Sequence, residues 1–312
     1  MIISASRRTD IPSYYSDWFF NRLKEGYVYT RNPMSIHKIS DIPLTLDVVD
    51  GIVLWTKNPT PMLNKIHMLK DYPYYFQFTV NSYGSDIEPN IPLKSDVIIP
   101  TFQQLSTEIG KEKIVWRYDP IFLNKKYTME YHKKYFEMMC DKLSDYTEKC
   151  TISFLDLYRN TQRNIAEQGV IPLNNSQMIE IAESFSLIAK EHGIYIDTCA
   201  EKIDLEKYGV KHAHCIDQER FERIGGYKLN VKKDKNQRIE CGCIDSIDIG
   251  AYNTCKNGCI YCYANYSQKT VSKNSISHDP NPPLLFGEVG ENDEITKKKC
   301  NSIIDKQMRL FD

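Results

Sequence analysis

Hydrophobic positions along the chain gather into short runs of β-branched and aromatic residues, separated by stretches with helical spacing. The runs IISAS (2–6), GIVLWT (51–56), YYFQFTV (74–80), KIVWRY (113–118), TISFLDL (151–157) and IYIDTC (194–199) make six candidate strands. Several are apolar on both faces, as parallel strands covered on both sides are. The clearest helix starts near Asn175, where Met178, Ile179, Ile181, Ala182, Phe185, Ile188 and Ala189 recur at helical spacing and Gly193 marks the end. Further helices are expected over 15–25, 60–70, 101–110 and 128–144. Strand and helix alternate, which implies βαβ units. YVYTRNP and SIHKIS read as a strand pair inserted between Arg8 and Gly51.

Such a pattern fits an open doubly wound sheet or an incomplete barrel, and periodicity does not separate them. Polar residues at the strand ends favour a barrel mouth. Ser6, Arg7, Arg8 and Asp10 follow the first strand, Lys57 and Asn58 the second, Arg117 and Asp119 the fourth, Asp156 the fifth and Glu201 the sixth. The expectation is therefore an α/β fold with a partial (β/α)6 TIM-like barrel over 1–205. A Cys-rich extension over 206–275 would pack on its mouth, followed by a polar tail over 276–312 with Pro density near 280–287. Gln77 and Thr79 alternate with Phe76 and Phe78 and so face one side of their strand. If that side is the lumen they are cofactor contacts; if it faces a helix they need local partners.

Composition narrows the function classes. The chain has 312 residues, 41% of them hydrophobic, which excludes disorder throughout, and its net charge of −1 leaves no global basic field for nucleic acid or membrane. No stretch approaches the roughly 18 apolar residues of a membrane span, and the start lacks a signal-peptide apolar region, so the chain reads as cytoplasmic. Ten cysteines would then stay mostly reduced, and clustered ones point to metal or catalysis. Serine-hydrolase chemistry finds no GxSxG elbow, and HAH at 212–214 reads as an exposed loop.

The segment TCKNGCIYCYAN sets Cys255, Cys259 and Cys262 in a CxxxCxxC spacing, so one loop can offer three thiolates to one polynuclear centre. A structural zinc site needs four closed ligands and usually shows CxxC pairs. The spacing resembles that of the radical S-adenosylmethionine enzymes. That resemblance implies a 4Fe-4S cluster with one open iron that chelates the amino and carboxylate groups of S-adenosylmethionine. It also implies an adenine contact from Tyr261, the aromatic residue before the last cysteine, and an electron from reduced flavodoxin or ferredoxin. The superfamily usually carries its motif after the first strand. Here it follows the sixth, so the C-terminal segment must fold back across the mouth. Over nearly its full length the chain also resembles the bacterial and archaeal family DUF1848, through ISASRRTDIP, WTKNP, WRYDP, CAEK and CGCIDSIDIGAYNTCKNGCIYCYAN. That family has a radical-enzyme-like C-terminal cysteine cluster, and membership implies little about substrate. YCYA is similar to a segment of spore photoproduct lyase and related DNA-lesion enzymes.

Four more cysteines precede the motif. Cys199, Cys215, Cys241 and Cys243 could close an auxiliary iron-sulfur cluster, hold zinc or lie buried as thiols. Cys140 and Cys150 look like core residues. Among the mouth groups, Arg117 is the first candidate for the cofactor's carboxylate, because a guanidinium binds carboxylates bidentately; Arg7 and Arg8 come next. An Arg117–Asp119 ion pair of purely architectural role is the alternative. Arg7, Arg8, Asp10, Lys57, Asp119 and Glu201 form the candidate catalytic set, with Tyr261, Arg117, Gln77 and Thr79 as cofactor contacts. Alternatives are that Thr9 or Asp10 caps the first helix, that Lys57 and Asn58 cap the second, and that Glu201 is a solvated helix start.

The closing QMRLFD places Gln307, Met308, Leu310 and Phe311 in an arrangement similar to the peptides that bacterial repair proteins insert into the sliding clamp. With the basic stretches KLNVKKDKNQR (228–238) and KKK (297–299), it turns the substrate expectation toward nucleic acid, for lesion repair or base modification. A peptide or small-metabolite substrate, and a non-catalytic zinc or iron-sulfur module, are the alternatives.

Overall fold

The computed structural model describes residues 1–156 and 161–306, so Leu157, Gln307, Met308, Leu310 and Phe311 lie outside the described residues. Along the chain run β1 (Ile2–Ala5), α1 (Ile11–Tyr14), α2 (Ser16–Glu25), β2 (Tyr27–Asn32), β3 (Ser35–Pro43), β4 (Gly51–Thr56), β5 (Tyr74–Thr79), α3 (Ile99–Ile109) and β6 (Ile114–Ile121). Then come α4 (Met129–Leu143), β7 (Lys149–Phe154), α5 (Gln162–Ala166), α6 (Asn175–Glu191), β8 (Tyr195–Thr198), β9 (Lys211–His212), α7 (Gln218–Gly225), β10 (Ile247–Asp248), α8 (Gln268–Ile276) and β11 (Glu294–Lys297).

Eight of these strands form one all-parallel sheet in the order β10-β1-β4-β5-β6-β7-β8-β9. The α/β alternation is as the sequence pattern implies, and the sheet is consistent with a partial α/β barrel. The six expected strands are its centre; the count is corrected by β9 and β10, two-residue strands at the two edges. Both come from beyond residue 205, so the cysteine-rich segment completes the sheet. The inserted strand pair is real: β2 and β3 pair antiparallel in a separate sheet, and β11 adds to β3 in parallel. The stretch Thr60–Leu69 is a 3-10 helix rather than the expected α-helix, and the expected 15–25 helix is preceded by the short α1, which Asp10 caps through Ser13 N at 3.1 Å.

Alternation along the strands gives the sheet two different faces. Ile3, Ile52, Leu54, Phe76, Phe78, Ile114, Trp116, Tyr118 and Ile152 point to one side and join the main core with Phe102, Phe136 and Phe185 from α3, α4 and α6. Cys140 and Cys150 sit in this core, as expected. The opposite face carries Ile2, Val53, Tyr75 and Val115, which pack on Ala213, Ile216, Phe221, Leu229, Ile244 and three cysteines of the extension. Gly51 allows this second core to close: a Cβ there would lie 2.3 Å from the ring of buried Phe221. Residues beyond 276 return along the first half of the chain, with Trp18 Nε1 donating to Pro282 O at 3.0 Å and Ser302 Oγ to Asp50 Oδ1 at 2.6 Å. No helix among the described residues is long and apolar enough to cross a membrane.

Candidate metal centre and active site

At the carboxyl ends of the strands lies a cavity of about 440 Å³, and the C-terminal segment folds back to line it. Cys255, Cys259, Cys262, Cys199, Cys215, Cys241 and Cys243 all border it, seven of the ten cysteines. Arg7, Arg8, Asp10, Trp55, Lys57, Thr79, Arg117, Asp119 and Tyr261 line it too.

The motif loop is held from several directions. Asn257, between the first two cysteines, donates to Asp10 Oδ2 at 3.0 Å and accepts from Tyr14 Oη at 2.7 Å. Lys57 N also donates to Asp10 Oδ2, at 2.7 Å, so one buried carboxylate joins the first strand's turn, the end of β4 and the cysteine loop. Burial pushes the Asp10 carboxyl up in spite of these donors. Tyr15 Oη donates to Thr254 O at 2.6 Å, Asn90 Nδ2 to Lys256 O at 2.7 Å and Ile260 N to Ile87 O at 3.1 Å. Gly258 has φ +71°, and a Cβ there would also stand 3.0 Å from Asn90 Nδ2. The cap of α1 is thus also a clasp on the motif.

Tyr261 is 9% exposed, and its hydroxyl donates to Glu88. Glu88, 1% exposed, also takes Lys57 Nζ at 2.7 Å and Lys94 Nζ at 2.8 Å. Burial alone would raise this carboxyl, but the two ammonium groups outweigh it and hold it down to about 2. Burial, with Glu88 alongside, pushes the Tyr261 phenol well up and keeps it a donor. Lys57 Nζ also lies 5.5 Å from the Tyr261 ring centroid. Burial raises the thiols of Cys255 and Cys262, and raises Cys259 to about 12 with Lys57 opposing.

The upstream cysteines meet a different environment. Cys215 Sγ and Cys199 Sγ are 3.1 Å apart and share a hydrogen bond; Arg117 Nη1 donates to Cys215 Sγ at 3.1 Å and Ile216 N to Cys243 Sγ at 3.3 Å. Hydrogen bonds from Cys199 and Cys243, with Arg117 beside them, favour the Cys215 thiolate. The backbone carbonyl of Cys215 accepts from Tyr75 Oη and Gln77 Nε2, both at 2.7 Å. Arg7 and Arg117 lie on the ring of Trp55, at 5.3 and 5.4 Å from its centroid. Arg7 Nη2 and Thr9 Oγ1 are buried with no hydrogen-bond partner, and both residues line the cavity. A cavity holding thiols and an unanswered guanidinium donor fits an iron-sulfur centre with an anionic co-ligand.

Placement sorts the sequence-based candidates. Gln77 lies on the extension-facing side, as one of its two readings required, but it bonds Cys215 O and Arg117 Nη1 rather than the motif loop. Arg117 pairs with Asp119 through Nε at 2.8 Å, so the ion pair is present, and its Nη1 meets both Gln77 Oε1 at 3.2 Å and Cys215 Sγ at 3.1 Å. Arg8 lies over Tyr252. Glu201 accepts from Phe154 N at 2.8 Å, and burial, with Asp156 adding to it, pushes its carboxyl up to about 7. Neither Lys57 nor Asn58 caps the helix after Pro59, which has no side-chain cap: Asn58 Oδ1 accepts from Thr60 N at 3.3 Å in a local turn, and Lys57 reaches Glu88. His212 belongs to β9, which corrects the loop reading of HAH, although both its histidines are exposed.

Sequence reasoning missed Asn81, Glu88, Asp248 and Asn257. Asn81 Nδ2 donates to Tyr261 Oη at 3.2 Å; Asp248 takes Ser6 Oγ at 2.6 Å and Arg7 N at 2.8 Å, which sets the arginine turn. Asn81 directly follows the third candidate strand, where the strand-end rule would have found it. Among the described residues no group of three or more His, Cys, Asp or Glu is disposed about a single metal ion.

The model of a family described as Domain of unknown function (DUF1848) matches residues 2–264, a span that takes in both cysteine groups. No curated protein matches the chain.

Proposed function

The chain belongs to the DUF1848 family, and from that premise we propose that it is a radical S-adenosylmethionine enzyme whose open-site 4Fe-4S cluster sits on Cys255, Cys259 and Cys262. The observation that carries this reading is the clasped CxxxCxxC loop, whose three cysteines all line the strand-end cavity. When bound, the cluster and S-adenosylmethionine supply one-electron chemistry that generates a 5′-deoxyadenosyl radical, with the electron drawn from reduced flavodoxin or ferredoxin.

The chain's own residues have definite parts in this. Asp10 and Asn257 fix the loop that presents the thiols. Glu88, locked between two lysines, orients the Tyr261 ring as an apolar wall with a bound hydroxyl. Arg7 and Arg8 bring positive charge to the same cavity, and Arg7 Nη2 is the donor still free for an anion. Apolar covering by Trp55, Phe154 and Leu155 helps keep water from the cavity wall.

A nucleic-acid substrate is supported by Lys228, Lys232, Lys233 and Lys235, all exposed on a stretch that ends at Asn236, Gln237 and Arg238 on the cavity rim. The sliding-clamp peptide around Gln307, Leu310 and Phe311 belongs to the same reading.

Anaerobically purified, reduced protein should contain iron and convert S-adenosylmethionine to 5′-deoxyadenosine. Cys259→Ala should abolish that conversion. Stoichiometric zinc without iron, or undiminished turnover in Cys259→Ala, would overturn the assignment.

A further inference from the structure

We propose that Cys199, Cys215, Cys241 and Cys243 bind a second iron-sulfur cluster, closed by four protein thiolates, in the same cavity as the first. It deepens the function proposed above, on which it rests only for the presence of iron-sulfur chemistry in this protein; its ligands are separate.

Three distant segments deliver the four thiols. Cys199 follows β8, Cys215 follows β9, and Cys241 and Cys243 sit in a turn held by Asp234 N to Cys243 O at 2.9 Å and Ile244 N to Ile216 O at 3.1 Å. Gly242 lets that turn approach: a Cβ would meet Ala213 O at 3.0 Å. The four sulfur-bearing residues border one cavity.

Polar donors aimed at the sulfurs distinguish this group from ordinary buried cysteines. Cys140 and Cys150 lie among the aromatic and aliphatic side chains of the main core. In contrast, the upstream group receives a guanidinium N–H at Cys215 Sγ and a backbone N–H at Cys243 Sγ. Asp119 pairs with Arg117 through Nε and Nη2, and Nη1 is shared between Gln77 Oε1 and Cys215 Sγ, so the cation is held with one edge against the sulfur. Iron-bound thiolates carry the charge that makes both contacts favourable, and such hydrogen bonds to sulfur are among the factors that set cluster potentials.

Zinc is the competing occupant. A zinc ion would take the same four thiolates, each about 2.3 Å from it, and the metal content read in the test below separates the two. A four-iron cluster would give each of the four thiolates its own iron. With four thiolates this centre has no open iron, so it does not duplicate the first.

The test is iron and acid-labile sulfide content after anaerobic reconstitution of the full chain. Wild-type protein should hold about eight irons, the sum of two four-iron clusters; about four would overturn the proposal whether or not any variant folds. The triple variant Cys255→Ala, Cys259→Ala, Cys262→Ala, checked for folding by circular dichroism, should keep half the iron and a reduced-state paramagnetic resonance signal. A folded triple variant that carries no iron, carries zinc, or carries a Cys199–Cys215 disulfide overturns the second site. Arg117→Met in the triple-variant background should shift the retained cluster's midpoint potential to more negative values, since a cation facing the sulfurs is lost. Iron retained in the triple variant while wild type fails to cleave S-adenosylmethionine would sink the proposed function and leave the second site standing. Cleavage by wild type with an iron-free triple variant is the reverse case.

Discussion

Cys255, Cys259 and Cys262 arrive on one short loop, whereas Cys199, Cys215, Cys241 and Cys243 come from a strand end, a loop and a turn far apart in the chain. The first group is fixed by carboxylates and amides that bind its backbone and neighbours, Asp10, Asn257 and Glu88, and no arginine is seen to donate to its sulfurs among the described contacts. The second is fixed by apolar packing on the inner sheet face and meets Arg117 at the sulfur itself. Thiols on a single loop need a clasp outside the loop's own spacing, because the loop alone fixes spacing and not position. Thiols from three segments are positioned by the fold and, as the proposed ligands of a second cluster, need charge balance instead.

The largest effect should come from breaking the clasp of the motif region. Glu88→Gln leaves Lys57 and Lys94 without their shared carboxylate, all three side chains being at least four-fifths buried. Removing one partner of a buried pair costs about 3 kcal/mol or more, so urea denaturation should show a loss of roughly that size. The pH dependence has a definite sign. Glu88 is held at about 2, below its ordinary 4.5, so its contribution is complete above pH 4.5 and disappears as pH falls toward 2. In Glu88→Gln that part of the acid-side decline should flatten. If the two cysteine groups are independent, iron lost from this variant should come from the motif site alone.

A second break separates the faces of the sheet. Gly250 sits where a Cβ would fall 2.1 Å from Ser6 Oγ, and Ser6 is pinned by Asp248. Gly250→Ala should therefore displace the Arg7 turn and β10, at about 1–3 kcal/mol for an overpacked site. Thermal unfolding measures that cost; an unchanged melting temperature would mean the turn shifts freely and the close approach has no structural role.

These contacts also show where sequence reading stops. The central strands and α6 were legible because each repeats a pattern over several residues, and the motif cysteines because their spacing is local. Gln77 could be placed opposite Phe76 and Phe78 by period two, but its partner, Cys215, lies on a loop that no pattern links to β5. β9 and β10 are two residues each and carry no period at all. Glu88 lies in an irregular loop and acquires its importance only when Lys57, Lys94 and Tyr261 surround it. Local regularity is visible in one dimension; charge partners brought together by chain crossing are not.

The smallest expected effect is the control that sharpens the contrast between the two cysteine groups. Asn174 caps α6 in a reciprocal pair: its side chain accepts from Gln177 N at 3.0 Å while Gln177 Oε1 accepts from Asn174 N at 3.0 Å. The helix packs on the outer sheet face through Ile181, Ala182, Phe185 and Ala189, on the side away from the cavity. Asn174→Ala should cost about 1 kcal/mol, the usual value of such a cap. That loss reaches the cysteines only through global stability, so iron content and the ratio between the two sites should stay at the wild-type level under native conditions. If this mild, remote destabilisation strips one site selectively, then selective loss in Glu88→Gln reports a weaker site and not a broken clasp. If both sites keep their iron, the selectivity of the larger perturbation belongs to the Glu88 contacts themselves.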